Sequence, residues 1–276
     1  MTTRPSVTDG RVFVSALYIY PVKSLPGLSV RETQCEPRGL QHDRRFMLVD
    51  EGGRFISQRE RPELSQLRVR VSRGGLRIAG PHRTEPLVVP LVPNAPSLER
   101  ASVTVWDDEV KARLVPDQGF FSDYLGKKTR LVYMPDTVWR PADQKYAGRK
   151  DVVSFADGFP VLVLGDASMG EVSRRAGEVL PVERYRPNIV VRGLAPFEEE
   201  EPAQLAIGSV RLRGVHPCAR CVIVDTDPQT GVVDRKVLRV LAAFRKRENK
   251  VYLGQNALVI RGGRIRVGTK VSLTRE

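Results

Sequence analysis

Short apolar runs separated by turn residues fill the first third of the chain and limit the folds that it can adopt. RVFVSALYIYPV, LSVRETQC, RFMLVD, RFIS, LRVRV, LRIA and VTVW follow one another closely, with Gly-Gly, Asp-Glu and proline between them. Apolar and β-branched residues in runs this short favour strands over helices. We therefore predict a mostly β protein with some α, whose first unit is a β-barrel-like domain.

The rest of the chain combines strand-like runs with three helix-like stretches. DQGFFSDYLG, DASMGEVSRRAGEV and VLRVLAAFRKR predict helices, the second of them capped by Asp166. VLVLG, RPNIVVRG, LAIGSVRLRGV, CVIVDTD and VYLGQNALVIRGGRIRVGTKVSL predict strands. The sequence thus predicts a first domain over residues 1–130 and a second, mixed β-barrel domain over residues 131–276.

Two segments lack the periodicity of a helix or a strand. TVWRPADQKYAGRKDVVSFADGFP is a long connection. Loops of this length usually carry function, so residues 138–156 are a candidate lid over a site. The EEEE run, Glu198–Glu201, predicts a solvated loop.

The net charge of the chain bears on the kind of partner that it could bind. The 276 residues carry a formal net charge of +13, with 35 arginines against 10 lysines. Arginine suits phosphate and carboxylate, because its planar fork donates two parallel hydrogen bonds. An anionic ligand, an acidic protein partner, nucleic acid and a merely solvated surface all stay open. No helix-turn-helix spacing, zinc-finger spacing or aromatic-rich basic stripe supports nucleic acid.

Targeting signals are also lacking in the sequence. No run of about 18 apolar residues predicts a membrane span, and the polar first ten residues do not predict a signal peptide. Three cysteines are too few for a secreted disulfide scaffold. We therefore expect a cytoplasmic protein.

HPCARCVIVDTDPQTG contains two cysteines, Cys218 and Cys221, which could form a redox pair, part of a zinc site or a disulfide, or include one metal ligand. A redox pair lowers its thiol pKa at a helix N-terminus, whereas Cys221 precedes a predicted strand. A zinc site needs four ligands, and His216 with the two cysteines supplies three. DTDPQTG lacks the glycine and glutamate of a calcium loop and predicts a turn.

Four other stretches place polar side chains beside predicted strands. YPVKSLPG sets Lys23 and Ser24 after a strand, where they could bind a phosphate. HDRRFMLV sets Arg44 and Arg45 at a strand start, where alternation lets only one of them point into a given cavity. The remaining stretches, ADGFP and RYRPNIVV, contribute Asp157, Gly158 and Arg186.

Taken in order, these stretches resemble the MOSC family, and specifically its amidoxime-reducing branch, in which a MOSC N-terminal β-barrel domain precedes a MOSC domain. The resemblance extends from about Arg11 to about Leu273. It rests on YPVKSLPG, DRRFMLVD, SFADGFPVLVL, RYRPNIVV, LAIG, PCARCVIVDTDPQTG and LGQNALV. The family binds molybdenum cofactor, a pyranopterin dithiolene with a phosphate. The resemblance implies that Cys221 is the molybdenum ligand, a role that suits a soft thiolate, and that Cys218 is structural or lies behind it.

The same resemblance implies a set of cofactor-binding residues: Lys23, Ser24, Arg45, Asp157, Gly158, Arg186, Arg220 and Asn256. With Cys221, Asp157 is the candidate catalytic residue, for proton delivery or substrate orientation. The family is further described as binding pyridoxal phosphate.

The function that the resemblance implies is a molybdenum-dependent reductase of N-hydroxylated compounds. Its electrons would come from a separate ferredoxin- or flavoprotein-type donor, because the chain lacks the four-cysteine spacing of a plant-type ferredoxin domain. A non-catalytic carrier of molybdenum cofactor or sulfur is the main alternative. A basic nucleic-acid binder is a weaker one, and no membrane partner is expected.

Overall fold

The computed structural model describes residues 12–81, 85–201 and 203–275. Residues 1–11, which include the predicted start of the first domain and the stretch that argues against a signal peptide, lie outside these ranges. The strands are β1 (Phe13–Ile19), β2 (Leu28–Val30), β3 (Glu32–Glu36), β4 (Gly39–Leu40), β5 (Phe46–Val49), β6 (Arg68–Ser72), β7 (Gly75–Ala79), β8 (Leu87–Val89), β9 (Arg100–Val105), β10 (Asp108–Val115), β11 (Arg130–Tyr133), β12 (Val161–Gly165), β13 (Ile189–Arg192), β14 (Ala203–Ile207), β15 (Val210–Ala219), β16 (Lys246–Arg247), β17 (Lys250–Arg261), β18 (Gly263–Arg266) and β19 (Val271–Arg275). The helices are α1 (Phe120–Leu125), α2 (Asp166–Ala176) and α3 (Lys236–Arg245). The predicted mostly β fold with some α is confirmed.

The largest sheet belongs to the second unit and has the strand order β19-β14-β15-β17-β12-β13-β1-β2, with β16 paired to β17 as a hairpin. Its neighbours are antiparallel except for β12 and β13, which run parallel. The α2 helix supplies the crossover that a parallel pair requires. Val14, Val163 and Leu212 are fully buried in the core of this sheet.

The two longer helices pack on each other and on the large sheet. Val172 of α2 and Val237 and Leu241 of α3 are buried together with Leu253 of β17. Burying side chains of this size contributes about 1.5–3 kcal/mol each. This packing holds β17 and the segment before α3 in place. No helix in the described ranges is long and apolar enough to cross a membrane.

Two smaller sheets form the first unit. One has the order β5-β11-β10-β9, and the other is the meander β6-β7-β8. Both are antiparallel and, in the part of the chain that the structure describes, open. Leu48, Leu76, Phe121 and Leu131 are buried in a common core that joins them.

The first strands of the chain pair with the second unit rather than with the first. β1 pairs with β13, from Phe13 opposite Arg192 to Leu17 opposite Ile189. β2 extends the same sheet, and β3 pairs with β18. Residues 13–36 thus pair with strands of the second unit, and the division near residue 130 stays a prediction.

Two predictions of local structure near the second unit's loops are wrong, and one is confirmed. CVIVDTD is not a strand: β15 ends at Ala219, and a 3-10 turn follows over Val222–Asp225. Asp166 does not cap α2 but begins it, and its carboxylate accepts a hydrogen bond from Arg192 Nε at 2.6 Å. DTDPQTG is a turn, as predicted, because the Asp227 carboxylate accepts hydrogen bonds from the N–H groups of Gln229 and Thr230.

The EEEE run is also not the predicted solvated loop, because its middle carboxylates are buried. Glu199 accepts a hydrogen bond from Ser168 Oγ of α2 at 2.7 Å. Glu200 pairs with Arg245 of α3 and accepts one from the Gly254 N–H of β17 at 3.1 Å. Burial raises the pKa of both carboxyl groups against these partners. Because buried carboxyl groups need such partners, the run ties α2, α3 and β17 together.

The long connection between the units is irregular but well packed. Val153 and Phe155 are buried. Arg140 is also buried, pairs with Asp108 at 2.8 Å and donates to the carbonyls of three later residues of the connection, the last of them Asp157. These contacts make the connection part of a cavity wall, and its movement as a lid stays a prediction.

Candidate functional site

The loops that follow β1 and β15 and those that precede β12 and β13 converge on a cavity of about 150 Å³. The cavity brings together all but one of the predicted site residues: Lys23, Ser24, Asp157, Gly158, Arg186, Arg220, Cys221 and Asn256. Arg45 lies elsewhere. Residues distant in sequence thus meet because each stands at a strand end or on β17.

Both cysteines line this cavity as free thiols, so they do not form a disulfide. After β15 ends, the Arg220 N–H donates to the carbonyl of Val251 at 2.7 Å, and Cys221 follows in extended conformation. Burial raises the pKa of the Cys218 thiol, although Arg220 Nη1 lies 3.3 Å from its sulfur. The sequence argument against a redox pair was that a strand follows Cys221, but a 3-10 turn follows it instead, so that argument does not hold. The raised pKa of Cys218 still argues against a redox pair, because the thiolate is the reactive form of cysteine.

Asp157 lies in a network of cations at the mouth of the cavity. Its Oδ1 accepts a hydrogen bond from Lys23 Nζ at 2.5 Å, and its Oδ2 accepts one from Arg59 Nη2 at 3.1 Å. Burial would raise the pKa of Asp157, but the two cations outweigh it and hold that pKa well below its usual range. Its side chain is nevertheless 55% exposed. The carboxylate is therefore ionised at neutral pH and can accept hydrogen bonds, including from a ligand.

Arg59 is a cavity residue that the sequence analysis missed. It comes from the first unit and interacts with Cys221 as well as with Asp157. Its Cζ lies 4.7 Å from the ring centroid of Trp106, whose Nε1 donates to Asp157 Oδ1 at 3.3 Å. The apolar run RFIS that precedes Arg59 marks a strand-like stretch but gives no sign of a site.

Two arginines of the cavity stack on one buried ring. Arg44 Cζ and Arg186 Cζ lie 4.2 Å and 4.4 Å from the ring centroid of Tyr20, which are cation–π distances. The Tyr20 hydroxyl donates to the carbonyl of Pro187 at 3.1 Å, which fixes the ring. Burial, together with the charge of Arg44, lowers the pKa of Arg186 to about 10, so Arg186 stays cationic at neutral pH.

Arg44, and not Arg45, is therefore the arginine of HDRRFMLV that faces the cavity. Arg45 Nη1 pairs with Asp136 at 2.7 Å, and its guanidinium lies over the ring of Tyr133. Its Nε donates to the carbonyl of Met134 at 3.2 Å. This placement follows from the left-handed φ of 48° at Arg44, in the turn before β5, and not from strand alternation. It does not support Arg45 as a cofactor-binding residue.

Three cavity residues hold a backbone conformation that residues other than glycine rarely adopt. Ser24, Arg44 and Arg186 have φ values of 67°, 48° and 55°. Such conformations cost about 1–3 kcal/mol each and are concentrated at functional sites. They mark this cavity independently of the chemistry of its side chains.

Asn188, in the RYRPNIVV stretch, is another cavity residue that was not predicted. Its Oδ1 accepts hydrogen bonds from the Leu162 N–H at 3.1 Å and from Arg44 Nη1 at 3.2 Å. Its Nδ2 donates to the carbonyl of Tyr18 at 3.3 Å. Asn188 therefore ties Arg44 to the start of β12 and to β1.

The charges and polar atoms of the cavity indicate an anionic ligand. Among the described residues its wall carries one carboxylate, that of Asp157, against six cations: Lys23, Arg44, Arg59, Arg184, Arg186 and Arg220. Three buried polar atoms of the wall have no hydrogen-bond partner among the described residues, namely Arg184 Nε, Arg220 Nε and the Tyr185 hydroxyl. Burial raises the pKa of Tyr185 to about 12, so it stays protonated at neutral pH. Buried polar atoms are almost always satisfied, so these residues fit a ligand rich in acceptor oxygens.

The residues around Cys221 do not form a metal site by themselves. In the described ranges, no three or more His, Cys, Asp and Glu side chains are grouped to hold a metal ion. The ring of His216 instead stacks on Tyr146, with centroids 4.4 Å apart, and meets Tyr252 edge-on at 5.5 Å. The zinc set is therefore not assembled. A metal bound to Cys221 would need its other ligands from a bound organic group.

Comparison with known proteins places this geometry in a family. The MOSC N-terminal beta barrel domain matches residues 11–128, and the MOSC domain matches residues 150–272. The chain is 32% identical over 246 residues to mitochondrial amidoxime reducing component 2 of Rattus norvegicus, covering 84% of this chain and 72% of the rat protein. It is also 32% identical over 281 residues to mitochondrial amidoxime-reducing component 1 of Mus musculus, covering 94% and 82%. Among solved structures, the YUAD protein from Bacillus subtilis is similar at a TM-score of 0.49 and 10% identity, over 99% of this chain and 100% of that one.

Proposed function

The chain belongs to the MOSC family, in the branch of the amidoxime-reducing components, and on that premise we propose that it is a molybdenum-cofactor-binding oxidoreductase that reduces N-hydroxylated compounds. Its electrons come from a separate donor protein. One observation carries the proposal: Cys221 presents a free thiol in a cavity whose wall is cationic and retains unpaired polar atoms.

The cavity residues fit molybdenum cofactor. Cys221 would hold the metal as a soft thiolate. The guanidinium groups of Arg44, Arg186 and Arg220, with Lys23 and the Ser24 hydroxyl, would hold its phosphate and pterin oxygens. When bound, the cofactor supplies the two-electron redox chemistry.

The protein's own side chains orient the substrate and offset the negative charge of Asp157. Lys23 and Arg59 keep Asp157 ionised, so this carboxylate has no proton to deliver at neutral pH. Orientation of the substrate is thus the role that we assign to it, because its Oδ2, which accepts from Arg59, keeps a lone pair for the N–H or O–H of an N-hydroxylated compound. The complete conversion of N–OH to N–H consumes two electrons and two protons and releases water.

The first experiment measures molybdenum and pterin in protein made in a host that synthesises the cofactor, beside Cys221→Ser and Cys218→Ser. We expect near-stoichiometric molybdenum in the wild type and in Cys218→Ser, with the metal centre lost or altered in Cys221→Ser. Absence of both metal and pterin from all three, in a host that loads a control protein, would refute the proposal. Zinc that is lost in both variants would make the two cysteines structural.

Reduction of benzamidoxime by the loaded protein, with reduced benzyl viologen as donor, separates a reductase from a carrier. A carrier of cofactor or sulfur binds molybdenum and pterin but does not turn over. Pyridoxal phosphate binding and a cytoplasmic location stay predictions, and the relatives named above are mitochondrial by name.

A further inference from the structure

A strongly basic surface surrounds the β16–β17 hairpin. It combines two segments, residues 143–151 of the long connection and residues 246–250 of the hairpin, which together hold six cations and three carboxylates. The six cations are exposed, and we name four of them the basic face: Lys145 and the hairpin residues Lys246, Arg247 and Lys250. The other two precede Asp151, which pairs with Arg213 in the middle of β15. Within the described chain, Arg247 has a carboxylate partner, Glu200 at 3.5 Å, whereas Lys246 and Lys250 have none within ion-pair distance.

The two segments meet at His216. Burial lowers the pKa of this histidine, and the charges of Lys250, Lys145 and Arg247 lower it further, against Asp143. The geometry agrees: Tyr146, which follows Lys145, and Tyr252, two residues after Lys250, both contact the His216 ring. A partner protein that covered His216 would meet both segments at once.

A row of aromatic rings leads from this face to the cavity. Tyr252 contacts His216 at 5.5 Å between centroids, and His216 stacks on Tyr146 at 4.4 Å. Tyr146 lies 6.2 Å from Phe159, which lines the cavity beside Asp157. Successive ring contacts thus connect the hairpin to the cavity wall.

The hairpin also contacts the loop that carries the cysteine. The Arg220 N–H donates to the carbonyl of Val251, which directly follows Lys250, and Ala219 pairs with Tyr252. Cys221 is the next residue after Arg220. A protein seated on the hairpin would therefore lie one strand away from the thiol.

We propose that the basic face is the docking surface of the electron donor, a small electron-transfer protein with an acidic face, and that electrons enter the cavity from this side. The inference rests on the proposed function, because a reductase of this kind must be supplied with two electrons per substrate. A one-electron donor is oxidised twice for each N–OH group that is converted, with two protons, to N–H and water. Opposite charges on the two proteins speed their encounter and fix its orientation.

The test compares two double variants of equal net charge. Lys246→Glu with Lys250→Glu reverses two charges of the basic face. Lys127→Glu with Lys270→Glu, the control, reverses two exposed lysines outside it. Each loaded protein reduces benzamidoxime with either a reduced plant-type [2Fe–2S] ferredoxin or reduced benzyl viologen.

We expect kcat/KM for ferredoxin to fall about 10-fold or more at low salt in the first double variant and to change little in the control. The difference should shrink at high salt, because screening weakens the attraction. The viologen-driven rate should be unchanged in both, since a small donor needs no docking surface.

Equal losses in both double variants, no loss in the first, or a wild type that turns over with viologen but takes no electrons from ferredoxin would each overturn the docking surface. Failure of the wild type with viologen would instead refute the proposed function, and with it the need for a donor. Thermal unfolding of both variants confirms that they are folded.

Discussion

Replacing Gly27 with alanine tests whether the Tyr20 ring holds the two stacked arginines in place. A Cβ at position 27 would lie 2.3 Å from Tyr20 Cε1, 2.5 Å from Cδ1 and 2.9 Å from Cζ. The ring is held on every side: it is buried, its hydroxyl donates to the carbonyl of Pro187, and Arg44 and Arg186 stack on it, so any shift of the ring is costly. The substitution must therefore shift the ring, and the arginines with it.

The cost of such overpacking is about 1–3 kcal/mol. In a chain of this size each kcal/mol lowers Tm by about 2–4 °C, so we expect Gly27→Ala to lower Tm by about 2–12 °C. Because the displaced guanidinium groups line the cavity, molybdenum and pterin content should fall in the same variant.

Gly170→Ala is the matched control. Gly170 lies within α2, and nothing approaches its added Cβ within 4 Å. Alanine in a helix interior is favoured over glycine by about 0.5–1 kcal/mol, so this variant should be as stable as the wild type or more so. Thermal unfolding followed by circular dichroism and elemental analysis measure both effects. A Gly27→Ala protein with wild-type Tm and full molybdenum would show that the ring yields freely, and the reasoning would be wrong.

Two further predictions concern single side chains. Arg44→Ala should lower molybdenum and pterin content, whereas Arg45→Ala should leave both unchanged, and equal losses in the two variants would contradict the assignment of Arg44. Burial raises the pKa of Glu199 above its ordinary value of 4.5. Its protonated carboxyl group therefore contributes stability below pH 4.5, and this contribution is lost as the pH rises through the pKa of the folded state. Glu199→Gln, which keeps an acceptor for Ser168, should thus stabilise the protein more at about pH 8 than at about pH 5 in urea unfolding, and a pH-independent difference would contradict this.

The resemblance to the MOSC family gave most of the cavity residues as one set, and turn signals between apolar runs mark several of them independently. Lys23 and Ser24 follow β1, and Asp157 precedes β12, so strand ends alone bring them near one another. The choice between Arg44 and Arg45 was not predictable in the same way. Alternation says that one of them enters, but the left-handed φ of Arg44 decides which, and nothing in HDRRFMLV encodes it.

The wrong and missed predictions share one physical cause: the partners that decide where these side chains lie are distant in sequence. Four consecutive glutamates indicate solvent unless Ser168 and Arg245 are known to face them. Arg59 resembles any surface arginine of a strand-rich unit until the fold places Cys221 beside it. Composition and periodicity describe a residue's neighbours along the chain, whereas burial and pairing depend on neighbours in space.

The pairing of β1 with β13 makes the order of synthesis matter. β1 has its hydrogen-bonding partner in β13, far along the chain, and the wall near Lys23 also includes Asn256 of β17. Pairing across such a sequence separation is slow to form and comes late in folding. A nascent chain that still lacks β13 and β17 therefore has no complete cavity, so any ligand of the cavity binds only after these strands have been made. For the same reason, the two halves cannot be exchanged between relatives as separate modules without carrying the first forty residues along with the second half.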